Sequence, residues 1–294
     1  MKSCFKMCYR RKMLLATVIF TALCYKLYFK FHTQLKVTAA KQLDMAPEAV
    51  DTLYDGCDKQ ALKIVIDSVL KEELNRSEVF QKAWNTKCSE IIPRGVKEHT
   101  AALLTHAYGD KDFRKTFNNA VATLGGNVST YENSFHFKSL HFLLMDAMKL
   151  MKPLNGEKCK RLFHISNTKY EAQKGSKVRF GRFTLLHSDP DPNSEGELSE
   201  DDTFFNITTC FYVSLGGFCK QKGDEVLISP AEEFTVEDVV QNNNDDNPYT
   251  EIRLKHSKLA SSHDCYIFSR SPADVSTQWL MLVLLGFSLF FFNC

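Results

Sequence analysis

The chain has no sustained run of basic residues and no apolar segment long enough to cross a membrane comfortably. Its 37 Lys and Arg residues are nearly balanced by 35 Asp and Glu residues, which gives a formal net charge of +2. Because a basic stripe is missing, the sequence lacks the electrostatic footprint of a nucleic-acid-binding protein, and no nucleic-acid partner is expected. The cysteines show no zinc-type close spacing and no accompanying histidine cluster, so no metal is expected either.

What is present is the composition of a globular protein. The 294 residues are 44% apolar and 24% charged, without a sign of global disorder. The chain is long enough for one sizeable folded domain or two small ones, and it contains no internal repeat. Its two ends differ from this background.

The N-terminus has the pattern of a secretory signal. Basic residues up to Lys12 precede an apolar run at 13–24, which is the order of the charged and hydrophobic regions in such a signal. The run is shorter than the ~20 residues that a spanning helix needs. An uncleaved signal anchor is the alternative, because the aromatic stretch 25–31 contains lysines that can reach the interface. Residues 1–40 are therefore predicted to be a signal peptide or signal anchor.

The C-terminus carries a second apolar run, 279–292, with no basic cluster behind it. Small and polar residues at 269–278 precede that run. This order of small residue, polar spacer and hydrophobic tail is the signal for a glycosylphosphatidylinositol (GPI) anchor, and a buried terminal helix is the alternative. Residues 269–294 are predicted to be the anchor signal, with Ser269 or Ser271 as the attachment site, so that a lipid holds the protein at the extracellular face of the plasma membrane.

Secretion places the remaining cysteines in an oxidising compartment. Outside the end segments, six cysteines are present: Cys57, Cys88, Cys159, Cys210, Cys219 and Cys265. They predict disulfide bridges, although the spacing leaves the connectivity open. Three N-glycosylation triplets fit the same compartment, and they begin at Asn75, Asn127 and Asn206.

The region between the ends changes its periodicity halfway. Phe137, Leu140, Leu144 and Met148 recur at three- and four-residue steps, which predicts a helix that packs by one face. After Cys159, short segments rich in β-branched and aromatic residues predict strands, at 162–165, 178–183, 204–212, 226–228, 234–236 and 252–254. The predicted fold class is α+β, with an N-terminal helical part at 41–155 packed on a mixed two-sheet core at 156–268.

Four segments carry a resemblance to a known family. They are 43–57 (from LDMAP to YDGC), 135–144 (FHFKSLHFLL), 178–184 (VRFGRFT) and 223–230 (GDEVLISP). In that order they resemble the mature N-terminus, the Phe-His-aromatic-Lys helix, the strand near the nicotinamide ribose and the Glu-x-Glu turn of the vertebrate ecto mono-ADP-ribosyltransferases. The likeness runs from Leu43 to the anchor signal. It implies the ADP-ribosyltransferase fold, a NAD-binding core, and NAD as a substrate without a metal.

The resemblance also assigns roles to individual residues. The family's chemistry cleaves the bond between nicotinamide and ribose, and a carboxylate stabilises the positive charge that builds on the sugar. Glu225 is the matching carboxylate, and Phe180 and Gly181 match the cofactor-binding strand. By the same likeness, the bridges are Cys57–Cys265 and Cys159–Cys210. Cys88 and Cys219 are then left as a third bridge or as free thiols.

Three positions depart from the family pattern. His164 stands where an arginine normally holds the dinucleotide phosphates with its planar fork. Leu185 stands where a serine hydroxyl orients the nicotinamide ribose. Gly223 stands where a glutamate draws in the acceptor guanidinium of arginine-modifying members. The sequence thus supports two hypotheses: an anchored enzyme that transfers ADP-ribose to protein arginine or hydrolyses NAD, with impaired activity, or a catalytically silent surface binding protein or antigen.

Overall fold

The computed structural model describes residues 21, 24–26, 40–84, 88–151, 159–189, 199, 201–216, 219, 223–242, 248–261 and 265. The chain divides into two units, 1–40 and 41–294. In the first unit, the described residues 21 and 24–26 are helical. The predicted anchor signal, with Ser269 and Ser271, lies outside the described residues. Within the described part, no helix combines the length and apolar character required to cross a bilayer.

Helices occupy the first half of the second unit. Helix α1 (Asp58–Ile64) continues through a π-helical stretch (Val65–Val69) into α2 (Leu70–Arg76), and the later helices are α3 (Glu78–Ala83), α4 (Lys97–Tyr108), α5 (Lys111–Thr123), α6 (Val128–Ser134) and α7 (Lys138–Met151). Helix α7 begins at the buried carboxylate of Glu73, whose oxygens accept hydrogen bonds from the N–H groups of Lys138 (2.8 Å) and Ser139 (3.0 Å). A negative charge at a helix N-terminus satisfies its free N–H groups and complements its dipole.

Strands occupy the second half, apart from β1. Their bounds are β1 (Lys41–Gln42), β2 (Lys160–Ser166), β3 (Tyr170–Glu171), β4 (Lys177–Val178), β5 (Thr184–Leu186), β6 (Thr203–Thr209), β7 (Tyr212–Ser214), β8 (Val226–Ile228), β9 (Glu232–Asn242) and β10 (Tyr249–Leu259). In the described ranges they form a five-stranded sheet in the order β2-β6-β10-β9-β4, a three-stranded sheet in the order β5-β8-β7, and the pair β1-β3. Strands β6 and β10 pair in parallel, whereas β2 and β6 are antiparallel. The predicted α+β class with a mixed two-sheet core is confirmed.

Strand β8 explains how the layers are stacked. Its three residues are all buried. Because successive side chains point to opposite faces of a strand, Val226 and Ile228 pack toward the five-stranded sheet, whereas Leu227 packs into the helical core. The three-stranded sheet therefore lies between the helices and the larger sheet. Glu225, the residue before β8, stands at the end of this middle layer.

The predicted strand at 178–183 is wrong beyond residue 178. Arg179 forms a buried ion pair with Asp51, with 2.6 Å between Nη1 and Oδ2. Gly181 then adopts a φ of 63°, in the left-handed region that glycine tolerates. A Cβ atom at that position would lie 2.4 Å from the Ala46 Cβ. The backbone therefore leaves the sheet here and turns toward the N-terminal segment.

Three disulfide bridges join described residues: Cys57–Cys265, Cys88–Cys219 and Cys159–Cys210. The two bridges that the family resemblance implied are both present, and Cys88 and Cys219 form a third one. The bridge at Cys210 also explains why the predicted strand at 204–212 is interrupted. The Cys210 N–H leaves the ladder and donates to the Glu232 carboxylate at 3.2 Å.

The helical core buries two histidines in the neutral form. His141 contacts the Val50 carbonyl through Nε2 at 2.8 Å and the Tyr54 hydroxyl through Nδ1 at 2.9 Å. Because a carbonyl only accepts, Nε2 carries the proton and Nδ1 accepts from the tyrosine. Burial lowers the pKa of His141 to about 4. Burial and the neighbouring Arg114 charge lower the pKa of His106 to about 3.

These histidines predict that stability falls in mild acid. Between pH 6.5 and about 4, the unfolded chain binds protons at both imidazoles and the folded chain does not, so the free energy of unfolding decreases as the pH is lowered. The slope approaches about 1.4 kcal/mol per pH unit for each histidine. We expect His141→Gln, which keeps a donor and an acceptor, to remove one such contribution when denaturant unfolding is followed from pH 7 to 4. An unchanged slope in this variant would contradict the assignment.

Candidate active site

A cleft of about 930 Å³ lies between helix α5, strand β2, strand β5 and the residue before β8. This volume falls in the range of small-molecule and cofactor sites. The lining brings together three residues that the sequence singled out, namely His164 on β2, Leu185 on β5 and Glu225. Helix α5 supplies the facing wall, including Asn118, whose amide donates to the Phe183 carbonyl at 2.9 Å.

Glu225 is partly buried at the cleft and is held by a fixed turn. Its own carbonyl accepts from the Leu215 N–H at 2.9 Å. The preceding Asp224 accepts from the Ser188 N–H at 2.7 Å and lies 3.7 Å from the His187 Nδ1. Although partial burial acts to raise it, these contacts hold the pKa of Asp224 below its usual value. The turn is thus anchored on both sides, and the Glu225 side chain is positioned by the backbone.

Tyr108, the last residue of α4, lies beside this carboxylate. Burial and the adjacent Glu225 carboxylate raise the pKa of Tyr108 to about 12, so its hydroxyl stays protonated. The hydroxyl is buried and has no hydrogen bond of normal geometry to any described atom. The pair therefore consists of a carboxylate and a neutral donor close enough to influence each other. Sequence reasoning missed Tyr108, because nothing in a helical stripe distinguishes it from a packing residue.

His164 lines the cleft, but its ring is held by contacts with core residues. Its ring packs against Phe180 and Phe205, with centroid distances of 6.2 and 6.1 Å. Burial and the nearby Arg182 charge lower the pKa of His164 to about 4, while a hydrogen bond with the Leu185 backbone opposes this shift. A neutral ring of this kind offers no charge to a phosphate group at neutral pH.

Leu185 and Gly223, the other two predicted positions, differ in their relation to the cleft, since only Leu185 belongs to its lining. Leu185 is partly buried, lines the cleft and pairs with Leu227 on β8. Gly223 is exposed, and a Cβ atom built on it would lie 3.4 Å from the Glu225 Oε2. A side chain at position 223 would therefore stand next to the Glu225 carboxylate. Neither residue offers a hydroxyl or a charge of its own.

The remaining predicted positions lie away from the cleft surface. Phe180 is buried in the core behind His164, and Gly181 packs against the N-terminal segment, so neither belongs to the lining. Of the glycosylation triplets, Asn75 and Asn127 are exposed. Asn206 is partly buried in strand β6, where its amide donates to the Glu251 carboxylate at 3.3 Å.

Cationic side chains are a further feature of the cleft that the sequence did not reveal. The lining of the cleft contains five cationic residues, which are Lys41, Lys111, Arg114, Lys115 and Arg182. It contains three acidic residues, which are Asp112, Asp189 and Glu225. The cationic residues come from three separate stretches of the chain, so no basic stripe is visible in the sequence. The fold concentrates positive charge in this cleft although the chain as a whole is nearly neutral.

One group of described residues, Cys88, Glu90 and Cys219, brings metal-type ligand atoms within 4.8 Å of one another. The two sulfur atoms form a disulfide bridge with each other. The Glu90 carboxylate accepts from the Cys219 N–H at 2.9 Å. Because a disulfide sulfur is not a thiolate, we interpret this group as a disulfide bridge with an adjacent hydrogen bond to Glu90.

Comparisons with known proteins show the family of the chain. A family model described as NAD:arginine ADP-ribosyltransferase matches residues 43–262. The erythroblast NAD(P)(+)--arginine ADP-ribosyltransferase of Gallus gallus is 30% identical over 244 residues, which cover 76% of this chain and 75% of that protein. T-cell ecto-ADP-ribosyltransferase 1 of Rattus norvegicus is 30% identical over 260 residues, covering 85% and 88%. A GPI-linked NAD(P)(+)--arginine ADP-ribosyltransferase 1 of Mus musculus is 28% identical over 278 residues, covering 83% of each chain.

Solved structures give the same result. A mutant of the eukaryotic mono-ADP-ribosyltransferase ART2.2 in complex with NADH aligns with a TM-score of 0.61 and 26% identity, over 78% of this chain and 100% of that chain. Another mutant of ART2.2, in complex with NAD, aligns with a TM-score of 0.57. The family model covers most of the chain and the fold is shared. The chain therefore belongs to the NAD:arginine ADP-ribosyltransferase family, whose substrate is NAD.

Proposed function

We propose that this protein cleaves NAD slowly at the cleft beside Glu225, transferring ADP-ribose to water and, less efficiently, to arginine side chains of extracellular or lumenal proteins. The observation that carries the proposal is the position of Glu225, a partly buried carboxylate at the wall of a dinucleotide-sized cleft, on a turn fixed by Asp224. A carboxylate held in place before the reaction is suited to stabilise a developing cation.

In the proposed reaction the bond between the ribose C1′ and the nicotinamide nitrogen breaks, and nicotinamide leaves with the bonding electrons. Positive charge builds on the ribose, and Glu225 stabilises it. A water molecule or an arginine nitrogen then bonds to C1′ and loses a proton. The neutral Tyr108 hydroxyl lies beside Glu225 and can donate a hydrogen bond to the carboxylate as charge develops.

The proposed activity is impaired because two side chains that would fix the dinucleotide are replaced. His164 is neutral and packed against aromatic rings, and Leu185 has no hydroxyl. Removal of a comparable preorganised donor costs about 2 to 4 kcal/mol of transition-state stabilisation. The same replacements support the second candidate function, a catalytically silent surface binding protein or antigen that keeps the fold.

The two candidates are separated by incubating the purified protein with NAD labelled in the nicotinamide and, separately, in the adenylate part. The enzyme hypothesis predicts release of nicotinamide above the buffer rate, with most of the ADP-ribose free in solution. A silent relative gives no release above buffer. Label that appears on added free arginine as ADP-ribosylarginine, and is absent without active protein, would report transfer to arginine.

Gly223→Glu is expected to shift the products toward arginine transfer. Gly223 does not have a positive φ, and a Cβ atom built on it would be at ordinary contact distance from Glu225. A side chain therefore fits at this position. A second carboxylate next to Glu225 would attract the acceptor guanidinium. We expect the ratio of ADP-ribosylarginine to free ADP-ribose, measured with free arginine as acceptor, to rise about 10-fold, the effect of ~1.4 kcal/mol of extra binding. Gly223→Gln, of the same size without charge, is the control, and an equal ratio in both variants would refute the role of the charge.

We further propose that the protein reaches the cell surface through the secretory pathway and is held there by a GPI anchor. The relative in Mus musculus is described as GPI-linked. The three disulfide bridges fit an oxidising compartment. Release of the protein from intact cells by a phosphatidylinositol-specific phospholipase C tests the anchor, and retention after treatment would indicate another mode of attachment.

A further inference from the structure

Arg182 carries a guanidinium at the wall of the candidate cleft. The residue lies in the loop between β4 and β5 and lines the same cleft as His164. One of its terminal nitrogens, Nη2, donates to the Tyr170 hydroxyl at 2.6 Å. Tyr170 is buried, which fixes this contact point. Arg182 is close enough to His164 for its charge to contribute to the lowered pKa of that ring.

Lys41 lies over the ring of the same tyrosine. Lys41 pairs with Tyr170 in the β1-β3 ladder, and the Lys41 Nζ lies 5.7 Å from the centre of the tyrosine ring. A cation over an aromatic face is attracted by the ring. Tyr170 thus contacts two cations of the cleft lining, one through its hydroxyl and one through its ring. In the described part of the chain, neither cation is within ion-pair distance of a carboxylate.

We propose that Arg182, assisted by Lys41, forms the contact to the diphosphate of the bound dinucleotide in this protein. The inference rests on the proposed function, since it takes a dinucleotide such as NAD as the ligand of the cleft. A partly buried guanidinium without a counter-charge is costly unless an anion completes it. Its Nε and Nη1 groups have no partner among the described residues, and this fork suits an oxygen pair of a phosphate.

The fixation of the loop supports this role. Arg179, three residues earlier, is locked in its buried ion pair with Asp51 and also donates from Nε to the Met45 carbonyl at 2.8 Å. Gly181 permits the turn that follows. The backbone at position 182 is therefore held by contacts on its N-terminal side, while the residue itself belongs to the lining of the cleft. A fixed guanidinium loses less conformational entropy when it binds an anion.

The test measures the affinity for ADP-ribose by calorimetry, because this ligand keeps the diphosphate and lacks the reactive nicotinamide. Arg182→Gln retains an N–H donor for Tyr170 and removes the charge. We expect this variant to bind ADP-ribose about 10- to 100-fold more weakly, which corresponds to the loss of one charge-assisted contact. Arg161→Gln serves as the matched control, since it makes the same change at an exposed arginine of β2 that does not line the cleft. Its affinity should equal that of the wild type.

A double variant that moves the guanidinium to another position separates ligand binding by Arg182 from a structural role. His164→Arg combined with Arg182→Gln returns the guanidinium to β2, and we expect it to recover the affinity to within about 3-fold of the wild type by restoring one such contact. Equal ADP-ribose affinity in Arg182→Gln and wild type would overturn the inference, as would a wild-type protein that does not bind ADP-ribose. Binding that depends on Arg182 without any nicotinamide release from NAD would support the inference and reject the proposed function.

Discussion

Replacing Glu225 by glutamine is expected to lower the rate of nicotinamide release from NAD at least about 100-fold, the effect of removing a preorganised electrostatic group. The amide has the same shape as the carboxylate but carries no negative charge to stabilise the ribose cation. The fixed turn makes this a clean substitution, because Asp224 and the Glu225 backbone hold the loop independently of the side chain. Release is measured by chromatography of nicotinamide at saturating NAD.

A matched control for this prediction is Glu237→Gln, which makes the same change at an exposed position of β9. Both variants should unfold at the wild-type temperature, and only the first should lose activity. Similar release by Glu225→Gln and wild type, with both above the buffer rate, would show that another group carries the reaction.

Replacing Leu185 by serine is expected to raise nicotinamide release about 10- to 100-fold, the scale of one well-placed hydrogen bond in a preorganised site. The side chain lines the cleft, and the backbone at 185 is fixed by its pairing with Leu227. A hydroxyl introduced there can contact the nicotinamide ribose without a change of register. The gain should appear in kcat more than in KM, because the hydroxyl orients the reacting sugar.

Leu185→Ala separates the hydroxyl from the loss of volume. Both substitutions remove a partly buried apolar side chain and should lower the free energy of unfolding, by about 1 to 3 kcal/mol. Only the serine variant should gain activity. An equal gain in both would mean that Leu185 acts by blocking the cleft, and a gain in neither would show that the hydroxyl is not what limits the reaction.

Much of the fold could be predicted from the sequence because its signals are local. The stripe from Phe137 to Met148 and the apolar run at 226–228 correspond to helix α7 and strand β8. The strand predicted at 178–183 ends at Val178 because a contact with a distant part of the chain interrupts it. An ion pair to Asp51, 128 positions away, draws Arg179 out of the sheet. The alternation of apolar and polar residues along a strand gives no information about such a contact.

The site was predictable only where a motif marks it. Glu225, His164 and Leu185 were located through the family resemblance, and the structure gathers them at one cleft. Arg182 stands in the segment 178–184, but the resemblance assigns it no role. Tyr108 lies on a helix 117 positions before Glu225, and only the folded chain brings the two side chains together. Both residues depend on tertiary neighbours that the sequence does not reveal.

The most direct test of the central claim is the position of NAD in a crystal of the Glu225→Gln variant, in which the ligand should stay intact. We predict that the nicotinamide ribose lies beside residue 225, within contact of Leu185, and that the diphosphate lies at Arg182. A dinucleotide bound elsewhere on the protein, or a side chain at 225 that faces away from the sugar, would contradict the account.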